Sequence, residues 1–387
     1  MFSSDSFKKT PLFFYSMTEK ATVTPWEVSG EIDYKKLIRK FGIKPLPSLS
    51  KVFNDNVLFR RKAVFAHRDF EKILDCIKNR KKFVMMTGLM PSGDFHFGHM
   101  LLAQQMIFYQ KLGAKLYIAV ADLEAYNARE KSLEELRKIA IDQYLINYIA
   151  LGLKPKNVDF YFQSERSRDA KKSNAYYRLA SNFSRYATYN EFRAVYGAIS
   201  PGKMNASLIQ AADMFHPQLP EFEGEPIPTF IPVGIDQDPH IRIARDMGNR
   251  YKDYDFSQIS STYHIFIPGL KGDGKMSSSD KSSFIAMTDS PKDVERKIMK
   301  YAFSGGGETV KEHKEKGGNP DKDVSFQYLK MFFEPNDKKL AEIEGKYRKG
   351  EMLTSELKEI AIKKINVFLK KHKKKLKKAR KQVHKFL

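Results

Sequence analysis

The chain has 387 residues, enough for two or three domains and a sizeable core. Hydrophobic residues make up 42% and aromatic residues 13%, which excludes a disordered or low-complexity chain. The 68 Lys and Arg against 46 Asp and Glu leave a formal charge of +22, a field that favours a polyanionic partner, nucleic acid ahead of an anionic membrane surface.

A single cysteine, Cys76, rules out intrachain disulfides and Cys-based zinc clusters and fits a reducing compartment. The apolar stretch Leu12-Phe13-Phe14-Tyr15 is too short for a signal peptide, and the lack of any arginine before Arg39 argues against a mitochondrial presequence. Residues 1–16 read either as an extension or as lying ahead of an ordinary start at Met17. No apolar run is long enough for a transmembrane helix, so no membrane is expected as a partner.

The first strong element is a buried strand over 83–87, followed by a turn rich in Gly, Pro and Ser. After Gly98, Met100, Leu101, Leu102, Met106, Ile107 and Leu112 recur at helical spacing, and Gly113 closes the run. A near-continuous apolar strand over 116–121 ends at Asp122 and suits burial on both faces of a parallel sheet. A helix over 133–150, a strand over 159–162 and another over 230–233 extend the alternation. This βαβ rhythm predicts a doubly wound, Rossmann-type α/β domain, whose ligands sit beyond the C-terminal strand ends at Thr87, Asp122 and Gly234.

Beyond Pro291 the strand pattern stops. Ser290-Pro291-Lys292-Asp293 is a helix start, and helical patterns run to the terminus, interrupted by Ser304-Gly305-Gly306-Gly307. The expected organisation is an entry segment over 1–75, a Rossmann-type domain over 76–290 and an all-helical domain over 291–387. Residues 363–387 hold 11 Lys and 1 Arg with no Asp or Glu. Ile365, Phe368, Leu369, Leu376, Ala379, Val383 and Phe386 recur there at helical spacing, so the segment reads as an amphipathic basic helix.

Two motifs carry chemistry. Pro91-Ser92-Gly93-Asp94-Phe95-His96-Phe97-Gly98-His99 lies between a strand and a helix. Two imidazoles and a glycine at a helix N-terminus make a phosphate site, with the dipole and free N–H groups attracting the anion and each imidazole donating a hydrogen bond. With 9 His and 22 Gly, His-x-Gly-His is expected by chance only about 0.01 times, which disfavours a mere surface turn. A zinc pair lacks a third ligand. The second motif, Gly272-Asp273-Gly274-Lys275-Met276-Ser277-Ser278-Ser279, is a Gly-flanked loop with one lysine and three hydroxyls, equipment for gripping a polyphosphate and moving with it.

Together these motifs resemble the His-x-Gly-His and Lys-Met-Ser-x-Ser signatures of class I aminoacyl-tRNA synthetases. Thr24-Pro25-Trp26-Glu27-Val28, Tyr34-Lys35-Lys36-Leu37-Ile38, Thr188-Tyr189-Asn190, Gly234-Ile235-Asp236-Gln237-Asp238-Pro239 and Ala302-Phe303-Ser304-Gly305-Gly306 narrow the resemblance. With Gly317-Gly318-Asn319-Pro320 and Asp323-Val324-Ser325-Phe326, they are similar to the tryptophanyl-tRNA synthetases of the archaeal and eukaryotic type. The likeness covers residues 23 to about 371.

The resemblance implies a cytoplasmic homodimer in which ATP, with Mg²⁺, activates tryptophan to its adenylate before transfer to tRNA. It implies a tRNA (anticodon)-binding role for the helical domain. His96 and His99 would serve the phosphates and Lys275 the departing pyrophosphate. Thr87, Gly88, Ser92, Gly98, Met276, Ser277, Ser278 and Ser279 complete the ATP site. Met86, Glu124, Gln210 and Gln237 line the tryptophan pocket, and no resident metal ligand is assigned.

Two positions depart from the eukaryotic pattern: Met86 stands where a tyrosine precedes Thr-Gly, and Ala119 where the second strand carries a glutamine. A buried indole N–H needs an acceptor, and Gln237 is expected to supply it, with Met86 packing on the ring through its soft sulfur. The rival readings are tyrosyl-tRNA synthetase and a non-catalytic RNA-binding paralogue carried by the basic helix alone.

Overall fold

The computed structural model describes residues 33–387 except Arg129, Asp273, Lys275 and Ser277, Ser278 and Ser279, together with the backbone of residues 22–23 and 28–29. Lys275 and the three serines of the second motif, the start-site alternatives of residues 1–16 and the Thr24-Pro25-Trp26-Glu27 stretch thus lie outside the described residues.

Strands β1 (Thr22–Val23) and β2 (Val28–Ser29) make a short antiparallel pair. The remaining strands are β3 (Lys44–Pro45), β4 (Val64–Arg68), β5 (Val84–Leu89), β6 (Lys115–Val120), β7 (Val158–Phe162), β8 (Thr229–Gly234) and β9 (Ser260–His264). They form one seven-stranded sheet in the order β3-β4-β9-β8-β5-β6-β7. The five strands from β9 to β7 are parallel, while β4 runs antiparallel to β9 and β3 to β4, so the sheet is mixed at one edge.

Alternate residues of the parallel strands feed two cores. Met85, Leu89, Ile118, Val120 and Phe230 join one apolar cluster, and Val84, Met86, Tyr117, Ala119, Tyr161 and Ile231 join the other, which explains the unbroken apolar runs. From β5 the chain goes to β6 and β7 on one side and to β8 and β9 on the other. β5 pairs with β6 over six residues but with β8 only at Val84–Thr229 and Met85–Phe230. Beyond Met85 those two strands part, and a crevice opens at the topological switch point.

The helix after the first motif is Phe97–Lys111. The expected helix over 133–150 is present, with a π turn at Ala140–Leu145 inside it and Gly152 closing it at φ +127°. That turn brings Tyr144 against His99, ring centroids 4.9 Å apart. β9 escaped the hydrophobic pattern because it reads Ser-Ser-Thr-Tyr-His, yet Ser260, Ser261 and Thr262 are all buried. The burial of the two serines is made tolerable by Ser260 Oγ donating to the Asp69 carbonyl at 2.7 Å and Ser261 Oγ to Tyr263 Oη at 2.8 Å.

Past Ser290 the chain is helical. Ser290 caps Pro291–Tyr301, exchanging hydrogen bonds with Asp293 as the motif predicts. The Gly-rich stretch is a packing requirement as much as a break: a Cβ on Gly305 would lie 2.0 Å from the Asn319 carbonyl oxygen. The final helix, Thr354–Arg380, buries Leu357, Ala361, Ile365, Leu369 and Ala379. Its apolar seam merges with the core of the sheet domain. His372 Nε2 donates to Asn147 Oδ1 at 2.7 Å, and Lys373 Nζ donates to the Asp289 carbonyl at 2.8 Å. Most of the lysines of residues 363–387 are exposed, as an amphipathic basic helix requires.

Candidate active site

The crevice between β5 and β8 widens into a cleft of about 600 Å³. Every described residue assigned from sequence to ATP or tryptophan lines it: Met86, Thr87, Gly88 and Ser92 from β5 and its loop; His96, Gly98 and His99 from the first motif; Glu124, Gln210, Gln237 and Met276 around them.

At the first motif the two histidines cap the helix reciprocally. His96 Nδ1 accepts from the Gly98 N–H at 3.2 Å, and His99 Nδ1 accepts from the His96 N–H at 3.2 Å. The rings stack with centroids 3.8 Å apart. Burial, and then the adjacent His99, holds His96 well below its ordinary value, and burial takes His99 down to about 3. Both are therefore neutral at pH 7. Because each Nδ1 is an acceptor, each proton resides on Nε2, which is left as a donor.

This corrects one expectation. The Gly98 N–H is not free for an anion; it is spent on His96, and the imidazoles carry the donor capacity instead. Gly98 is needed for space, since a Cβ there would meet His96 Cε1 at 3.0 Å and Nδ1 at 3.1 Å. The same position would face Met276 Sδ at 3.8 Å, so the one described side chain of the Lys-Met-Ser stretch, buried Met276, rests on the His-Gly-His turn. His99 and Met276 thus line one cleft although they lie 177 positions apart.

The other end of the cleft lies under the helices Ala170–Phe183 and Pro201–Phe215. Met86 is buried there with Tyr161, Tyr176 and Ala212. Glu124 follows β6 in the short helix Asp122–Ala128, and burial, then the charge of Asp213, pushes its carboxyl up. An incoming ammonium would relieve that strain on the ionised form. Gln210 sits one turn before Asp213 on the second of the two long helices. Gln237 ends a 3₁₀ turn after β8, with Nε2 donating to Asp236 Oδ2 at 3.2 Å.

Two residues of this end were not assigned from sequence. Asp213 is fully buried and accepts from Tyr161 Oη, Tyr176 Oη and Gln163 Nε2, each at 2.7 Å. Burial pushes its carboxyl up to about 6 against those hydrogen bonds. Gln163, just past β7, is 2% exposed and lines the cleft beside it. Asp213 was legible as an acid within the apolar Ile209-Gln210-Ala211-Ala212-Asp213-Met214-Phe215 run; Gln163, after three aromatic strand residues, gave no signal.

A doubly wound sheet brings a capped His-Gly-His turn and an acid-and-amide pocket into one cleft. The family of class I tRNA synthetases for tryptophan and tyrosine matches residues 78–370, and the chain belongs to it. Within it the chain sits with the archaeal-type tryptophan–tRNA ligases. The ligase of Methanocaldococcus jannaschii is 43% identical over 353 residues, covering 90% of this chain and 93% of the relative. That of Aeropyrum pernix is 41% identical, covering 92% and 95%. The crystal structure of the Aeropyrum pernix tryptophanyl-tRNA synthetase superposes with a TM-score of 0.85 at 40% identity, over 92% of this chain and 96% of that one. The Plasmodium falciparum enzyme gives 0.79 at 31%, over 92% and 95%.

Proposed function

We propose that the cleft joins tryptophan to ATP and that the basic helical face holds the tRNA to be charged. The protein is a tryptophan–tRNA ligase: it forms tryptophanyl-adenylate and pyrophosphate, then transfers tryptophan to its tRNA. The observation that carries the residue assignment is the pair of neutral, mutually capped imidazoles facing one cleft with Glu124 and Gln210.

The nucleophile is the tryptophan carboxylate, already an anion, so no general base is required. What the reaction needs is alignment and relief of the charge gathering on the α-phosphate. His96 and His99 supply Nε2–H donors without carrying charge, and Thr87, Gly88 and Ser92 line the same wall. Lys275, Ser277, Ser278 and Ser279 are assigned to the departing pyrophosphate on the resemblance of their motif, whose Met276 lines the cleft. Mg²⁺ would arrive on the phosphates of ATP and share in neutralising them. Glu124 and Gln210 take the tryptophan ammonium, and Gln237, on the β8 lip, its main-chain end.

A homodimer working in the cytoplasm, with residues 291–387 as the tRNA-binding region, completes the proposal. No helix among the described residues is long and apolar enough to cross a membrane. The test is ATP–pyrophosphate exchange with each of the twenty amino acids. Exchange with tryptophan alone is expected. Exchange with tyrosine would move the chain to the sibling specificity, and no exchange at all would leave an RNA-binding paralogue. Lys275→Ala should slow exchange by two to three orders of magnitude, about 3–4 kcal/mol for removing a cation that meets the transition state, with tryptophan binding unchanged; an unaltered rate would remove Lys275 from the site.

A further inference from the structure

The indole N–H is a donor with no lone pair, so its pocket must offer an acceptor. Met86 supplies only a thioether sulfur, and Ala119 ends at Cβ. Asp213 already takes two tyrosine hydroxyls on Oδ1 and the Gln163 amide on Oδ2. Gln237 sits on the far side of the crevice, beyond β8, whereas Met86 packs with the β6 and β7 residues Ala119 and Tyr161.

Gln163 meets the requirement. Its backbone is fixed at both ends, the N–H donating to the Val120 carbonyl at 3.0 Å and the carbonyl accepting from Tyr177 Oη at 2.7 Å. Its Nε2 donates to Asp213 Oδ2 at 2.7 Å. An ionised carboxylate only accepts, so the amide orientation is set and Oε1 must point elsewhere. That Oε1 is buried and has no hydrogen-bond partner among the described residues. A buried acceptor left open at a cleft wall is matched by a ligand that brings one donor. Ala121 and Gln163 line the same cleft as Met86.

We propose that Gln163 Oε1 reads the indole N–H, and that Asp213 is a positioning residue that holds the amide in the reading orientation. In this chain the acceptor comes from β7, not from the second-strand position occupied by Ala119, and it replaces Gln237 in that role. The inference rests on tryptophan being the amino acid activated in this cleft.

Exchange kinetics with tryptophan and with its benzothiophene analogue, in which sulfur replaces the ring N–H, test it. The wild-type enzyme should favour tryptophan in kcat/KM by tenfold or more, roughly what an unmet buried acceptor costs. Gln163→Met, which keeps length and apolar bulk, should lower kcat/KM for tryptophan about 10- to 100-fold and for the analogue less than about threefold. Asp213→Asn, whose amide no longer dictates which end of Gln163 faces it, should erode the preference in the same direction. Equal use of both substrates by the wild type overturns the inference whatever the variants do. Equal losses on both substrates in Gln163→Met, or loss of the preference in Gln237→Ala with its retention in Gln163→Met, overturn it too. Tryptophan-dependent exchange by the wild type tests the underlying assignment separately.

Discussion

Gly98 shows how a single missing carbon can set the geometry of a turn. A methyl there would press on the His96 ring at 3.0–3.1 Å, and that ring cannot easily yield, being stacked on His99 and packed against Phe284 with centroids 5.0 Å apart. Gly98→Ala should therefore push the imidazole off its cap and misplace its Nε2–H. Misplacements of this order cost about 10- to 100-fold in rate, so adenylate formation should fall by that factor while the tryptophan KM stays within about threefold. Exchange rates over a range of tryptophan concentrations measure both. A fully active variant would show that His96 is not held to its working position by this packing. At this scale the sequence was readable where chemistry leaves a rare pattern, as in His96-Phe97-Gly98-His99. It was silent about the purpose of each atom: that Gly98 serves a ring and not an anion, and that Gln163 has an open acceptor, depends on side chains brought together from distant segments.

Elements with one dominant period could be read from sequence, and those whose burial rests on hydrogen bonds could not. β5, β6, β7 and β8 appear close to where their apolar runs place them. β4 and β9, carrying Arg68, Ser260, Ser261 and Tyr263, depend instead on partners such as Asp238, which accepts from Arg68 at 2.9 Å and from the Tyr263 hydroxyl. The last helix combines both kinds of information. Its seam of Ile365, Leu369 and Ala379 is core, and Phe386 beyond it is buried as well, so truncating it would unseal the sheet domain along with any hold on tRNA. The cleaner test leaves the helix in place. Lys370, Lys374, Lys377 and Lys381 are exposed along one face. Changing all four to Gln should leave tryptophan-dependent exchange intact and weaken tRNA binding. It should also flatten the dependence of log affinity on log salt by about 0.7–0.9 for each phosphate no longer neutralised. An unchanged slope in filter-binding titrations would mean that the face is only solvated.

Burial holds most of the molecule's histidines unprotonated. His67, His96, His99, His216, His240, His264 and His372, seven of the nine in the chain, are held below their ordinary value with burial as the leading cause. They tie the His-Gly-His turn, the cleft wall and the docked last helix to one condition. His99 titrates at about 3, and His240, His264 and His372 at about 4. The unfolded chain takes up these protons near pH 6.5. Between about pH 6.5 and 4 the unfolded state therefore binds more protons than the native state, and stability falls as the solution is acidified through that window. Each group contributes up to about 1.36 kcal/mol per pH unit. Asp213 acts in the opposite sense, because its carboxyl is raised to about 6 and takes its proton first in the native state, and the raised carboxyls of Asp122 and Glu124 act with it, but these are three groups against seven. Scanning calorimetry should therefore show Tm dropping steeply from pH 7 to pH 5. His372→Gln, which keeps a donor for Asn147 Oδ1 and cannot charge, should make that drop shallower. A Tm that stays level over the same range would mean that these imidazoles accept protons in the native fold, and with them that the caps at His96 and His99 open to solvent.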